Sequence, residues 1–207
     1  MPLTDSTERK RSNIHGLELG FRAGYGVPLG RAQDNVRFSD LIAGMVPLWV
    51  DVGYRIKPNW YLGAFFQYGI PRFSSIDRPI CSNPNSRFAC SMNNLRFGVN
   101  AHYHFMPAHS FDPWIGIGAG YEVSNSTFTP RFAGGDDYSH TREGFEFGNL
   151  QLGLDYRETP KFGIGPFVTF TIAQFSTGGA VDYSYVDKTI HGWFIVGVRG
   201  VFDLLLD

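Results

Sequence analysis

The stretch FDPWIGIGAGYEV, from Phe111 to Val123, sets Gly116, Gly118 and Gly120 alternately with Ile115, Ile117, Ala119 and Tyr121. A dinucleotide-binding loop needs glycines at relative positions one, three and six ahead of a helix. Here the sixth position is Tyr121, and Glu122-Val-Ser-Asn opens no amphipathic helix. The period is two, which is that of a strand with two unlike faces. One face is apolar and the other is nearly empty of side chains. Glycine weakens a strand, so the empty face must serve a need for space.

Composition narrows what such a strand can belong to. The 207 residues suffice for one large β domain, and 18 basic against 19 acidic side chains leave a formal charge of -1. No basic field exists to hold nucleic acid. Charged residues are scarce at 18%, while aromatics reach 16% and glycine 25 residues. No apolar run approaches the ~20 residues of a membrane helix. Spanning barrels use alternating segments of only ~10 residues, so a helix search does not detect them. Residues 1–13, MPLTDSTERKRSN, form a polar tail without an export core, so a signal segment is expected upstream of Met1.

The alternation recurs, predicting strands at about 14–29, 40–56, 59–70, 93–106, 112–124, 144–157, 161–175 and 189–204. Lys57-Pro58-Asn59, Met106–Phe111 and Glu158–Lys161 are short connections, each containing a turn-forming proline. Residues 30–39, 71–92, 125–143 and 176–188 are long and polar. Three tight turns and four long loops predict an all-β, eight-stranded, antiparallel up-and-down barrel over 14–207.

Two barrels fit that pattern. A soluble one turns its apolar face inward; a transmembrane one turns it to lipid. Solvent-facing positions have no need of glycine, whereas a lumen only wide enough for side chains does. The second reading gives glycine the task of relieving crowding around long charged side chains. Inward positions then carry Glu18, Asp51, Glu122, Asp155 and Asp203 against Arg22, Arg55, Arg96, Arg157 and Arg199. Buried charges need partners. Closure of strand eight on strand one makes Arg199–Glu18 one expected bridge, and Arg22–Asp51 is another. On the outer face, Tyr54, Trp60, Phe105, Tyr156, Phe162 and Phe202 fall at the tight-turn ends, and Tyr25, Tyr68 and Tyr121 near the loop ends. Two aromatic rings around an aliphatic band are the interfacial girdles of a spanning barrel.

With these residues in view, the chain resembles the small eight-stranded outer-membrane barrels of the OmpA, OmpX and OmpW type. Pro113-Trp-Ile-Gly-Ile-Gly-Ala-Gly-Tyr121 is similar to a strand common in them, and Gly197-Val-Arg-Gly-Val-Phe202 to their closing strand. The resemblance implies a bacterial outer-membrane location, tight turns on the periplasmic side and loops outside. It also implies contact with outer-membrane lipid and lipopolysaccharide, and with the assembly machinery during biogenesis. It leaves function wide, since the family includes adhesins, small-molecule pores, structural anchors and lipid A enzymes.

Candidate chemistry is sparse. Cys81 and Cys90, both placed in the longest loop, are expected to form a disulfide in an oxidising compartment. His102 and His104 share a strand face, with His109 in the next turn; they could bind a transition metal or fill the polar lumen. Ser139, His140 and Glu143 have the residue types of an esterase site, but fall in a predicted loop with no strand to orient the base. No cofactor and no catalytic residue is expected. The function expected is surface structure or loop-mediated binding of an extracellular ligand or protein around a plugged lumen. The alternative is passage of small apolar solutes, which Pro47 favours by removing a ladder hydrogen bond mid-strand.

Overall fold

A computed structural model describes residues 15–33, 36–74, 87–132, 136–159, 161–180, 183–184 and 188–205. Among them run eight long antiparallel strands. These are β1 (Gly16–Gln33), β2 (Ile42–Lys57), β3 (Trp60–Phe73), β4 (Phe88–His104), β5 (Phe111–Pro130), β6 (Tyr138–Thr159), β7 (Phe162–Ala180) and β8 (Ile190–Leu205). Each pairs with its sequence neighbours. β8 also pairs with β1, from Leu205 opposite Gly16 to His191 opposite Gly30, which closes the sheet. Closure satisfies the backbone without an edge, the condition for a sheet in hydrocarbon. A four-residue helix, α1 (Phe38–Leu41), folds inward between β1 and β2.

The faces decide which barrel this is. Ile117 is 64% exposed, whereas its strand neighbour Trp114 is 2% exposed. Phe21, Val52, Leu62, Val99, Leu152 and Val198 likewise point outward, and the charged residues that alternate with the apolar rows, such as Glu18, Arg22, Asp51 and Arg199, are buried. The soluble alternative requires the reverse and is overturned. On β1 the outward apolar row runs from Leu17 to Leu29. At ~3.3 Å per residue and a tilt of about 40°, that row is roughly 30 Å tall, the thickness of a bilayer core.

Aromatic pairs bound the band below. Trp60 meets Tyr103 at 5.0 Å, Phe162 meets Phe202 at 4.9 Å and Phe111 meets Tyr156 at 5.2 Å. Tyr54 and Phe105 are exposed at the same end. On the loop side Tyr121 lies between Phe97 (5.9 Å) and Phe145 (5.2 Å), while Tyr25 and Tyr68 are exposed on β1 and β3. Four residues further along β5 the outer face has turned polar. Thr141 Oγ1 donates to Asn125 Oδ1 (2.8 Å), and Asn125 Nδ2 donates to Asn93 Oδ1 (3.2 Å).

Several strand limits differ from expectation. β5 and β6 continue to Pro130 and from Tyr138, so most of the expected loop 125–143 is strand. β3, β4 and β7 take in parts of the expected loops 71–92 and 176–188 in the same way. Cys90 therefore lies in β4, opposite Phe128, and not in a loop. No described cysteine is free; its expected partner Cys81 and the tail 1–13 lie outside the described residues. Ile42, which alternates in phase with Val46 and Leu48 and would by that phase face lipid, is buried, because the β2–β3 register shifts between Ile42 and Gly44.

Candidate functional site

The ten charged side chains expected in the lumen are all buried there, at most 3% exposed. At the tight-turn end Glu18 bridges two strands. Arg55 donates to its Oε2 from Nε at 2.9 Å and from Nη2 at 2.5 Å, and Arg199 Nη2 donates to its Oε1 at 2.6 Å. Arg199 Nη1 also donates to Asp155 Oδ2 at 2.9 Å, and Arg157 donates to Asp203. One level up, Arg22 donates to Asp51 Oδ2 (2.7 Å) and Gln151 Oε1 (2.6 Å), while Asn100 Nδ2 donates to Asp51 Oδ1 (2.7 Å). Both expected bridges are thus present, but inside a network and not as isolated pairs.

Sequence reasoning missed three members. Glu146, which accepts from Arg96, turns inward because the β6–β7 register shifts between Glu146 and Gly148. Asp112 lies 2.8 Å from His104 Nδ1, through its Oδ2. His191 Nε2 lies 3.1 Å from Glu122 Oε2, which also has Trp193 Nε1 and Asn94 Nδ2 donating to its Oε1. Among the described residues the buried carboxylates are Glu18, Asp51, Asp112, Glu122, Glu146, Asp155 and Asp203, against the guanidiniums of Arg22, Arg55, Arg96, Arg157 and Arg199. The two carboxylates without a guanidinium hydrogen bond are the two that meet histidine.

Aromatic rings thread this network. Arg96, Trp49, Arg22, Trp114 and Arg199 stack alternately as cation and ring, with guanidinium-to-ring distances of 5.6, 4.7, 5.5 and 4.8 Å in that order. Desolvated contacts of this kind are each worth ~2 kcal/mol. His102 lies between Tyr61 (4.7 Å) and Trp114 (4.8 Å), nearly parallel to both.

That stack shows what the glycines are for. A methyl group at Gly116 would stand 2.5 Å from Cδ2 of His102. One at Gly63 would run into the Tyr61 ring, and one at Gly153 into the Trp114 ring. At Gly118 it would stand 2.9 Å from the Asn149 amide, and at Gly120 3.1 Å from the Phe65 ring. These five glycines make room for rings, an amide and the neighbouring backbone. The expected relief of crowding around charged side chains is found at other inner glycines: a methyl group would stand 3.0 Å from Arg157 Cγ at Gly163 and 3.0 Å from Asp51 Oδ2 at Gly20.

Toward the loops an apolar cluster packs against the polar groups. Phe38 of α1 is seated in the mouth, edge-on to Trp193 and His191 (both 5.0 Å) and to Phe175 (6.2 Å). Met45, Trp49, Phe65, Phe167 and Ile195 continue this cluster downward. Ser74 N donates to Leu41 O at 3.2 Å, and Ser74 Oγ donates to Asp40 O, which ties α1 to the end of β3.

The other candidates fall as follows. His102 and His104 are in the lumen, while His109 is exposed in a turn. Among the described residues no group of three His, Cys, Asp or Glu is placed to hold a metal ion. Ser139 and His140 are consecutive on β6, so their side chains take opposite faces of the sheet. Ser139 Oγ instead lies 3.3 Å from Thr127 Oγ1 across the strands. Burial, with Arg142 nearby, holds the His140 imidazole below its ordinary value.

No family model and no curated protein matches the sequence. Solved structures do match in fold. Neisserial surface protein A aligns at 16% identity with a TM-score of 0.50, over 89% of this chain and 96% of that one. Ail, the attachment invasion locus protein of Yersinia pestis, aligns at 12% and 0.53, over 90% and 99%. The outer membrane protein AlkL, determined in lipid bilayers, aligns at 14% and 0.56, over 94% and 92%. With its closed antiparallel wall, apolar exterior and charged interior, this chain has the fold of the small eight-stranded outer-membrane β-barrels.

Proposed function

We propose that the protein is a non-conducting barrel of the bacterial outer membrane, whose exposed rim carries surface-structural or binding work without turnover. The observation that carries this reading is the alternating Arg–Trp column across the lumen, embedded in buried ion pairs. A selective pore favours one sign of charge at its constriction, whereas here both signs are locked together. The polar outer ladder of Asn93, Asn125 and Thr141 supports a binding role for the part that rises past the aromatic row. A Cys81–Cys90 disulfide bracing that rim belongs to the same proposal. Denatured, unreduced protein giving no free thiol on titration is the result expected for it.

Planar-bilayer recording tests the reading directly. The wild type gives no steady ion conductance; a large, stable conductance refutes the plug. A second reading, entry of small apolar solutes from the loop side, is favoured by one observation: the aromatic cluster of the upper lumen is covered by Phe38 and Leu41 of the short helix α1. Uptake of an alkane probe into vesicles that is faster with protein than without would select it.

A further inference from the structure

The tall wall β4–β6 rises past the aromatic row, and its inner face there carries side chains that the plug does not use. Ser124 and Ser126 follow Glu122 on the inward row of β5 and are buried. Across the ladder Arg142 lies directly opposite Ser124, and His140 directly opposite Ser126. Directly paired residues point to the same face, with Cβ atoms about 5 Å apart. Successive pairs on that face are roughly 7 Å apart along the strands. One guanidinium, one imidazole and two hydroxyls therefore share a single patch of the inner wall.

The charge on this patch is uncompensated. Each of the five guanidiniums of the lumen has a carboxylate: Arg22 has Asp51, Arg55 and Arg199 share Glu18, Arg96 has Glu146 and Arg157 has Asp203. Among the described residues no carboxylate meets Arg142. Burial pulls its guanidinium below its ordinary value, and nothing offsets that pull. The adjacent Glu143 lies opposite Val123, on the outer face. His140 Nε2 is buried without a hydrogen-bond partner. Burial, and then Arg142, hold that imidazole below its ordinary value, so it is a neutral donor. Buried polar groups are ordinarily satisfied, and here two lie side by side unmet.

One positive charge among neutral donors suits a monoanion better than a phosphate dianion. A carboxylate takes two parallel bonds from one guanidinium, and its other lone pairs suit hydroxyl and imidazole donors. Beside the patch Met92 lies opposite Ser126 on β4 and packs against the apolar cluster that holds Phe38 and Phe175. A ligand whose head sits on Arg142 thus has an apolar surface for its body. We infer that Arg142, with His140, Ser124 and Ser126, forms a binding site for the carboxylate of a small apolar acid arriving from the loop side. The inference rests on the reading that the rim past the aromatic row binds ligand.

The test uses the full chain in lipid nanodiscs, where a faster gel mobility unboiled than boiled reports the folded barrel. Equilibrium dialysis, with empty nanodiscs as the blank, compares hexanoate, hexanol, hexyl phosphate and acetate. Hexanoate is expected to bind roughly tenfold or more tightly than hexanol, the scale of one charge-assisted contact, and more tightly than the other two. Arg142→Gln loses about that factor for hexanoate and leaves hexanol unchanged. It removes an unpaired charge, so its urea midpoint stays at or above that of the wild type, which separates lost binding from lost folding. Thr127→Ala with Ser139→Ala, on the outer face of the same wall, keeps hexanoate binding. No hexanoate binding by the folded wild type, or equal binding by Arg142→Gln, overturns the site. Hexanol binding as tightly as hexanoate overturns the carboxylate, tighter hexyl phosphate overturns the choice of a monoanion, and equal acetate overturns the apolar body. Binding that survives Arg142→Gln but is lost in Asn125→Ala moves to the outer ladder. That result overturns this site and keeps the rim's binding role, so the two failures stay apart.

Discussion

The two halves of the lumen are filled by different physics. Near the tight turns, almost every buried group is an ion or an amide whose partner lies on another strand, as with Glu18 held by Arg55 and Arg199. Toward the loops most of the filling is aromatic and aliphatic, with Phe38 delivered by a four-residue helix, around the polar sets of Glu122 with His191 and Arg96 with Glu146. Charged filling is specific, because removing one partner strands another in low dielectric. Apolar filling is set by shape and volume, and neighbouring side chains can partly relax around a loss. The lower half should therefore fail as a unit, and the upper half piece by piece.

The largest expected effect is at Glu18. Glu18→Ala leaves Asp203, at 3.6 Å, as the carboxylate paired with Arg55, and removes one of the two carboxylates on Arg199. Urea unfolding in detergent should show a loss of ~3–5 kcal/mol. Treating Glu18–Arg199 as an isolated pair would make the double variant with Arg199→Ala much less costly. The network argues otherwise: Arg55 remains short of a partner and Asp155 loses its nearest guanidinium. A double variant close to wild type would restore the isolated-pair view and break the contrast between the halves.

Phe38→Ala probes the other half. A fully buried phenylalanine costs ~3–5 kcal/mol on truncation in a rigid core. Here the helix can lift by itself, so the global loss should be smaller, about 1–2 kcal/mol. The sharper readout is local, with faster amide exchange over residues 38–41 and unchanged protection in β4 and β5. Exchange rising equally throughout would show that α1 is part of the same cooperative unit as the network.

How much of this was legible in the sequence follows from the same physics. Alternation located every strand, because both faces of the band are under strong and opposite demands. It lost the strand ends on the loop side, where outward positions become Asn93, Asn125, Thr127 and Thr141 and the contrast with the inner face disappears. Register shifts hid Ile42 and Glu146 by exchanging the faces locally. Arg199–Glu18 was readable from closure and height alone. Arg96–Glu146 and His104–Asp112 were not, since they depend on those shifts or on reach across a turn. The pairing of Arg31 with Arg37 at the end of β1 was invisible because residues 30–39 read as loop.

The smallest effects concern the glycines, and they separate two explanations for them. If inner glycines serve only to avoid crowding in general, replacing any of them with alanine should cost a similar amount. If they are individual seats, cost should follow the group seated. At Gly116 the added carbon meets His102 Cδ2 at 2.5 Å and Ala101 O at 3.3 Å. The His102 ring is itself held between Tyr61 and Trp114, so it has little room to turn away. Gly116→Ala should then cost ~1–3 kcal/mol, the range for overpacking a filled interior. At Gly26, also inside the lumen, an added methyl group would meet side chains alone, the nearest being Ile195 Cγ1 at 3.2 Å and the end of Met45 at 3.8 Å, which can give way. Gly26→Ala should stay within about 0.5 kcal/mol of wild type, its small strand-propensity gain included. Both variants are read in one urea series, with the indole fluorescence of Trp114 reporting the stack. Equal losses at the two positions would refute the seat explanation; a loss confined to Gly116, with a shifted Trp114 signal, would tie the opening strand's glycines to the rings that lie on them.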